Sequence, residues 1–229
     1  MELSRYLELL DQGEAFFIDA LSTLNETSAS EPSLLPGWER RTVAAHVARN
    51  ADALVNLCNW ARTGVETPMY PSPEAREEAI ASSAEAGLDD VLEDVRSASS
   101  RLRQALFSLP DGAWEAKVRA GQGRVVAAEK IPWMRSKEVW IHAVDLDAGP
   151  VFADLPLALV VELLSDIFRT WESRQITPDF RIVTSNGSFG AGSSTVRGEL
   201  CDAAAWLTGR SGPERLVFEG PIPSISSWL

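Results

Sequence analysis

The chain holds two histidines, and their settings suggest chemistry. His46 sits in the run AAHVARNADAL, and His142 follows Glu138 by four residues in SKEVWIHAVDLD. Both runs read as helix, and an interval of four turns a helix by about 400°, so Glu138 and His142 project from one face a single turn apart. Two ligands of one metal ion must be placed in that way, and His46 on a facing helix would complete the set. Two imidazoles and one carboxylate make a donor set that zinc accepts, and three protein ligands leave a position open for water, a thiol or a substrate. The same donors describe the facial triad that holds iron(II) in oxygenases. A packed boundary histidine gives the same pattern, and Glu-x-x-x-His is common by chance, so spacing alone leaves a metal site and a structural role both standing.

Cys58 and Cys201 lie far apart with no CxxC pattern, which excludes a disulfide framework or a cysteine-rich zinc knot. Cys58 falls in the apolar pattern of the His46 helix but faces about 120° away from it, as a small core residue would. A thiol nucleophile, if the chemistry needs one, is expected from outside the chain. Asn50, one turn beyond His46, and Asp145, three residues beyond His142, are placed either to orient a ligand imidazole or to form the polar rim of a buried helix. Trp38, Trp60, Trp133 and Trp140 would wall a pocket or fill the core.

Four helical stretches must position these groups. Residues 3–24 carry apolar side chains at intervals of three and four. After a break at SASEPSLLPGW, Thr42 is a candidate N-cap for a helix that carries His46 to about Arg62 and ends at Gly64. Ser72 before Pro73 starts a third, broken near Gly87 and resuming to about Leu109. An irregular or short extended stretch, WEAKVRAGQGRVV, leads to the fourth, from about Ala128 to Asp147, with Pro132 in its first turns and Gly149-Pro150 ending it. Facing helices of such a bundle commonly build metal sites in its interior. After Pro150 one strongly apolar helix precedes the strand-like runs FRIVTS, STVRGEL and RLVFEG, with a short helix at CDAAAWLTG before the last. The expected fold is therefore α+β, a four-helix bundle over residues 1–150 followed by a small α/β domain over residues 151–229.

A net charge of -12 and a pI near 4.7 over 229 residues argue against nucleic acid or an anionic membrane as partner, because both call for a basic surface. No run of 18 apolar residues and no signal-like start is present, so a cytoplasmic protein is expected.

The segments LPGWERRTVAAHVARNADAL, WARTGVETPMYPSPEAR, GQGRVVAAEKIPWMRSKEVWIHAVDL and AAWLTGRSG resemble the mycothiol-dependent maleylpyruvate isomerases over nearly the whole chain. The first is shared by a broad superfamily of thiol-dependent metalloenzymes, whereas TGVETPMYPSPEAR and WMRSKEVWIHAVDL point more narrowly. The resemblance implies a DinB-like bundle and a sterol-carrier-like C-terminal domain. It makes His46, Glu138 and His142 zinc ligands and Arg210 a catalytic arginine, with the active site between the domains. The broader superfamily more often supplies three histidines, and Glu138 departs from that pattern in agreement with the isomerase branch. Arg76, Gln122 and Arg124 lie in matching segments and are candidates to contact the substrate or the sugar portion of mycothiol.

The activity so implied is conversion of maleylpyruvate to fumarylpyruvate in gentisate breakdown, by thiolate addition, bond rotation and elimination. The expected partners are a small anionic substrate and a low-molecular-weight thiol, with a monomer expected. An S-transferase using the same thiolate and a non-catalytic, metal-stabilised binding module are the alternatives.

Overall fold

A computed structural model of the chain describes residues 2–226, apart from the side chain of Gln122. The chain divides into two compact units, Met1–Pro150 and Val151–Leu229.

In the first unit, helices α1 (Glu2–Ser22), α3 (Arg40–Thr63), α5 (Leu88–Phe107) and α6 (Ile131–Asp145) form a bundle in which α1 packs on α5 and α6, and α3 on the same two. A four-residue helix α2 (Glu26–Ala29) lies between α1 and α3, and α4 (Pro73–Ala84) packs on α3. The stripe expected on α1 is real: Tyr6, Leu10, Phe17 and Leu21 are all buried. Gly13 lets α1 and α6 approach closely, because a Cβ there would come within 2.5 Å of Trp140 Nε1. That indole donates to Leu9 O at 2.8 Å, fixing the register of the pair.

Helix boundaries follow local chemistry with one correction. Ser72 caps α4, its hydroxyl accepting from the Ala75 N–H at 3.1 Å, with Pro73 in the first turn. Gly64, at φ 72°, ends α3. Thr42, expected as the cap of α3, instead lies inside it: the helix begins at Arg40 with Glu39 as a cap lacking a side-chain bond. The preceding segment, held by the Pro32–Glu39 bridge, already turns the chain into helix, so no hydroxyl cap is used. The irregular stretch before α6 holds a small antiparallel hairpin, β1 (Lys117–Arg119) with β2 (Val125–Ala127).

The second unit begins with α7 (Leu157–Ser173) and a sheet of β3 (Phe180–Thr184), β4 (Gly187–Phe189), β5 (Ser194–Arg197) and β6 (Val217–Glu219), with α8 (Leu200–Leu207) between the last two. The order is β4-β3-β5-β6, with β3 and β5 parallel and the other pairs antiparallel. Phe180, Ile182 and Val196 are buried, and Phe180 meets Trp171 of α7 and Trp206 of α8 ring to ring. Gly192 is required where the chain crosses from β4 to β5, since a Cβ would overlap the Phe180 backbone. Among the described residues no helix is long and apolar enough to cross a membrane.

Candidate metal centre

The structure brings His46 of α3 together with Glu138 and His142 of α6. His46 Nε2 lies 3.0 Å from Glu138 Oε2, and His142 Nε2 lies 3.2 Å from the same oxygen. The imidazoles stand perpendicular with centroids 4.8 Å apart. Both histidines are buried, while the Glu138 side chain keeps 23% of its surface exposed.

Two separations within the donor set suit a tetrahedral ion, and the three ligand atoms all lie within 4.8 Å of one another. Ligands at zinc distances of about 2.0–2.1 Å lie about 3.3 Å from one another, close to the two separations found here. Asp145, fully buried, stands with Oδ2 2.8 Å from His142 Nδ1, accepting from that nitrogen and leaving Nε2 turned to the cluster. Trp38 packs edge-on against His46 at 5.5 Å, carried there by a turn in which the Trp38 N–H donates to Leu35 O.

Electrostatics separate the two histidines. Burial pushes His46 below the ordinary imidazole range. Burial acts the same way on His142, but hydrogen bonds to Asp145 and Glu138 outweigh it and raise its pKa to about 9. Burial would raise the Glu138 carboxyl, yet hydrogen bonds with both imidazoles hold it well below its usual range. The metal-free cluster thus pairs an imidazolium and a carboxylate with a neutral imidazole.

One guanidinium fixes the helices that carry the cluster. Arg135, one turn before Glu138, is fully buried. It donates to Glu14 Oε1 of α1 at 3.1 Å, to Val47 O and Asn50 Oδ1 of α3 at 2.7 and 3.1 Å, and to Ser99 Oγ of α5 at 3.1 Å. All three other bundle helices are tied to α6 at this point. Asn50 therefore holds Arg135, where the sequence left open an imidazole partner or the polar rim of a buried helix. Trp133 stacks on Tyr6 and Trp140 on Phe16, so both serve the α1–α6 packing, and of the candidate wall residues Trp38 is the one seen against a histidine. Trp60 is half-buried on α3.

Arg76 of α4 reaches the cluster, its Nη2 lying 3.2 Å from His46 Nδ1. Its guanidinium also lies over the Tyr70 ring, 5.7 Å from the centroid. Burial raises the Tyr70 phenol above its ordinary value. Neither Tyr70 nor Arg135 stood out in the sequence; a tyrosine in an otherwise proline-rich loop, TPMYPSPEAR, was the available signal. Arg124 is exposed at the turn of the β1–β2 hairpin, which also contains Gln122, whose side chain lies outside the described residues. Arg210 lies in the second unit just past α8, where its backbone N–H donates to Ala205 O and its guanidinium to Thr208 O at 2.7 Å. Gly209, at φ 76°, makes that turn. Cys58 is buried, and its thiol is pushed up to about 12, so it stays protonated and unreactive.

A helical bundle followed by a small α/β unit is the architecture of an enzyme of known structure. Residues 10–147 match the family described as the mycothiol maleylpyruvate isomerase N-terminal domain. The crystal structure of the mycothiol-dependent maleylpyruvate isomerase is 36% identical, with a TM-score of 0.91, over 99% of this chain and 97% of that one. A mutant of that enzyme with one histidine replaced by alanine matches over the same shares at 35% identity and a TM-score of 0.90. The chain belongs to the mycothiol-dependent maleylpyruvate isomerase family of enzymes. No curated protein matches it.

Proposed function

We propose that this protein isomerises maleylpyruvate to fumarylpyruvate, a step of gentisate breakdown, with zinc held by His46, Glu138 and His142 and with mycothiol as thiol cofactor. The observation that carries the reading is the cluster itself: three donor atoms within 4.8 Å of one another, one imidazole held by Asp145, in a chain of this family. A bound zinc ion would supply a positive charge at which a thiol ionises near neutral pH. Mycothiol would supply the nucleophile that adds reversibly to the conjugated double bond, a role for which Cys58 is unsuited by its burial.

The chain's own residues bind and orient. His46 and His142 present Nε2, and Glu138 offers a carboxylate that stays ionised. Asp145 keeps the His142 proton on Nδ1. Arg210 is the proposed catalytic arginine, a fixed cation for a substrate carboxylate or a developing enolate. Arg76, Gln122 and Arg124 are the proposed contacts for substrate and thiol. We place the activity in the cytoplasm, the compartment in which thiols are kept reduced, and in a monomer.

The test is turnover of maleylpyruvate by zinc-loaded protein with and without mycothiol. Formation of fumarylpyruvate with mycothiol unconsumed supports the isomerase. Stoichiometric consumption of mycothiol into a conjugate would replace it with an S-transferase, and no reaction by protein of verified zinc content would replace it with a binding module.

A further inference from the structure

Arg76 stands beside the donor cluster without a carboxylate of its own. It is half-buried on α4, with Nη2 3.2 Å from His46 Nδ1. Among the described residues it forms no ion pair, although Glu74, Glu77 and Glu78 share its helix in a chain of net charge -12. A cation so placed suits an anionic ligand, but a long guanidinium side chain meets a carboxylate through two parallel N–H groups only when its plane is held. The Tyr70 ring supplies a hold, its centroid lying 5.7 Å from the guanidinium carbon. The ring is fixed in turn by the backbone on both sides of it. Asn56 Nδ2 of α3 donates to Pro68 O at 3.4 Å and to Met69 O at 3.3 Å, Pro71 restricts the backbone of Tyr70, and Ser72 caps the helix that carries Arg76. Burial raises the Tyr70 phenol, Arg76 lowers it and the Glu138 carboxylate raises it again, so the ring lies within the field of both the cation and the cluster.

We propose that Tyr70 is a positioning residue whose ring holds the Arg76 guanidinium in place to bind a carboxylate of the substrate. The inference rests on the reading of Arg76 as a substrate contact and assigns Tyr70, which that reading leaves without a role. An aromatic face attracts the cation without setting a full negative charge beside it, so the charge of Arg76 remains for the incoming carboxylate. A glutamate in the same place would cancel that charge and repel the substrate. The contact is with the ring, so phenylalanine would serve at position 70 and an aliphatic side chain would not.

Titration calorimetry of zinc-loaded protein with maleate, a small dicarboxylate, reads the pair without turnover. Tyr70→Leu keeps an apolar side chain in the loop but removes the aromatic face, and should bind maleate about fivefold more weakly than wild type. Tyr70→Met should behave alike and guards against a folding defect in the leucine variant, while Tyr70→Phe should bind within about twofold of wild type. Arg76→Ala should bind maleate about tenfold more weakly, and adding Tyr70→Leu to it should cost nothing more, because the ring acts only through the guanidinium. In turnover the loss in Tyr70→Leu should fall on KM rather than kcat, about fivefold, as expected when ground and transition states are bound less tightly alike. Unchanged maleate affinity in both aliphatic variants, an equal loss in Tyr70→Phe, or a further loss in the double variant would each overturn the positioning role. Wild-type protein that takes up no maleate would overturn Arg76 as a carboxylate contact and the role of Tyr70 with it. Protein that shows the expected maleate pattern but converts no maleylpyruvate would overturn the isomerase reading alone.

Discussion

Replacing Asp145 separates two things it does for His142. The carboxylate is fully buried and sits 2.8 Å from Nδ1, so it both orients the ring and places a negative charge against it. Asp145→Asn keeps the shape and one accepting oxygen but removes the charge, whereas Asp145→Ala removes both and leaves a void. Loss of a partner that orients a ligand imidazole typically costs about 10–100-fold in metal affinity. The asparagine variant should fall near the lower end, about tenfold or about 1.4 kcal/mol, and the alanine variant near the upper. Zinc competition against a chromophoric chelator measures the affinities, with circular dichroism confirming that each variant is folded. Asparagine within twofold of wild type, or alanine no weaker than asparagine, would refute the claim that Asp145 sets the His142 ligand.

Further outcomes follow from the same geometry. His46→Ala should lose both metal and activity, and Arg210→Ala should keep its metal but lose turnover; metal analysis beside a rate assay separates them, and a fully active, metal-free His46→Ala protein would overturn the site. Gly13→Ala should lower stability by about 1–3 kcal/mol, because its Cβ would press on Trp140 and force α1 from α6; denaturant unfolding measures it. In the metal-free protein His142 holds its proton to about pH 9 whereas an unfolded histidine releases it near 6.5. The stabilisation from this pair is therefore complete below about pH 6.5 and is lost as pH rises through 9, a decline that denaturation of chelator-treated protein across that window would reveal.

The Glu138–His142 pair was legible because helical periodicity is local: four residues separate the two, and the remaining histidine could complete the set from a facing helix, which is where the structure brings it. The helices themselves were readable from apolar spacing, glycine stops and the Ser72-Pro73 start. What escaped was decided by contacts between distant segments. Arg135 looked like one more helical cation, yet its partners lie on three other helices, and nothing near it in sequence predicts its burial. For Trp133 and Trp140 the sequence left pocket wall and core both open, and contacts with α1, where Gly13 makes room for Trp140, decide for the core. Arg76 meets His46 across 30 residues, through a proline-rich loop whose path no periodicity describes. The strands β1, β2 and β4 have three residues each, too few for alternation to show.

X-ray absorption at the zinc edge, recorded on zinc-loaded protein before and after mycothiol is added, addresses the central claim most directly. The account predicts a first shell of nitrogen and oxygen donors alone, joined on addition of mycothiol by one sulfur at about 2.3 Å. A shell that gains no sulfur while the protein turns over maleylpyruvate, or one that contains sulfur before any thiol is added, would contradict it.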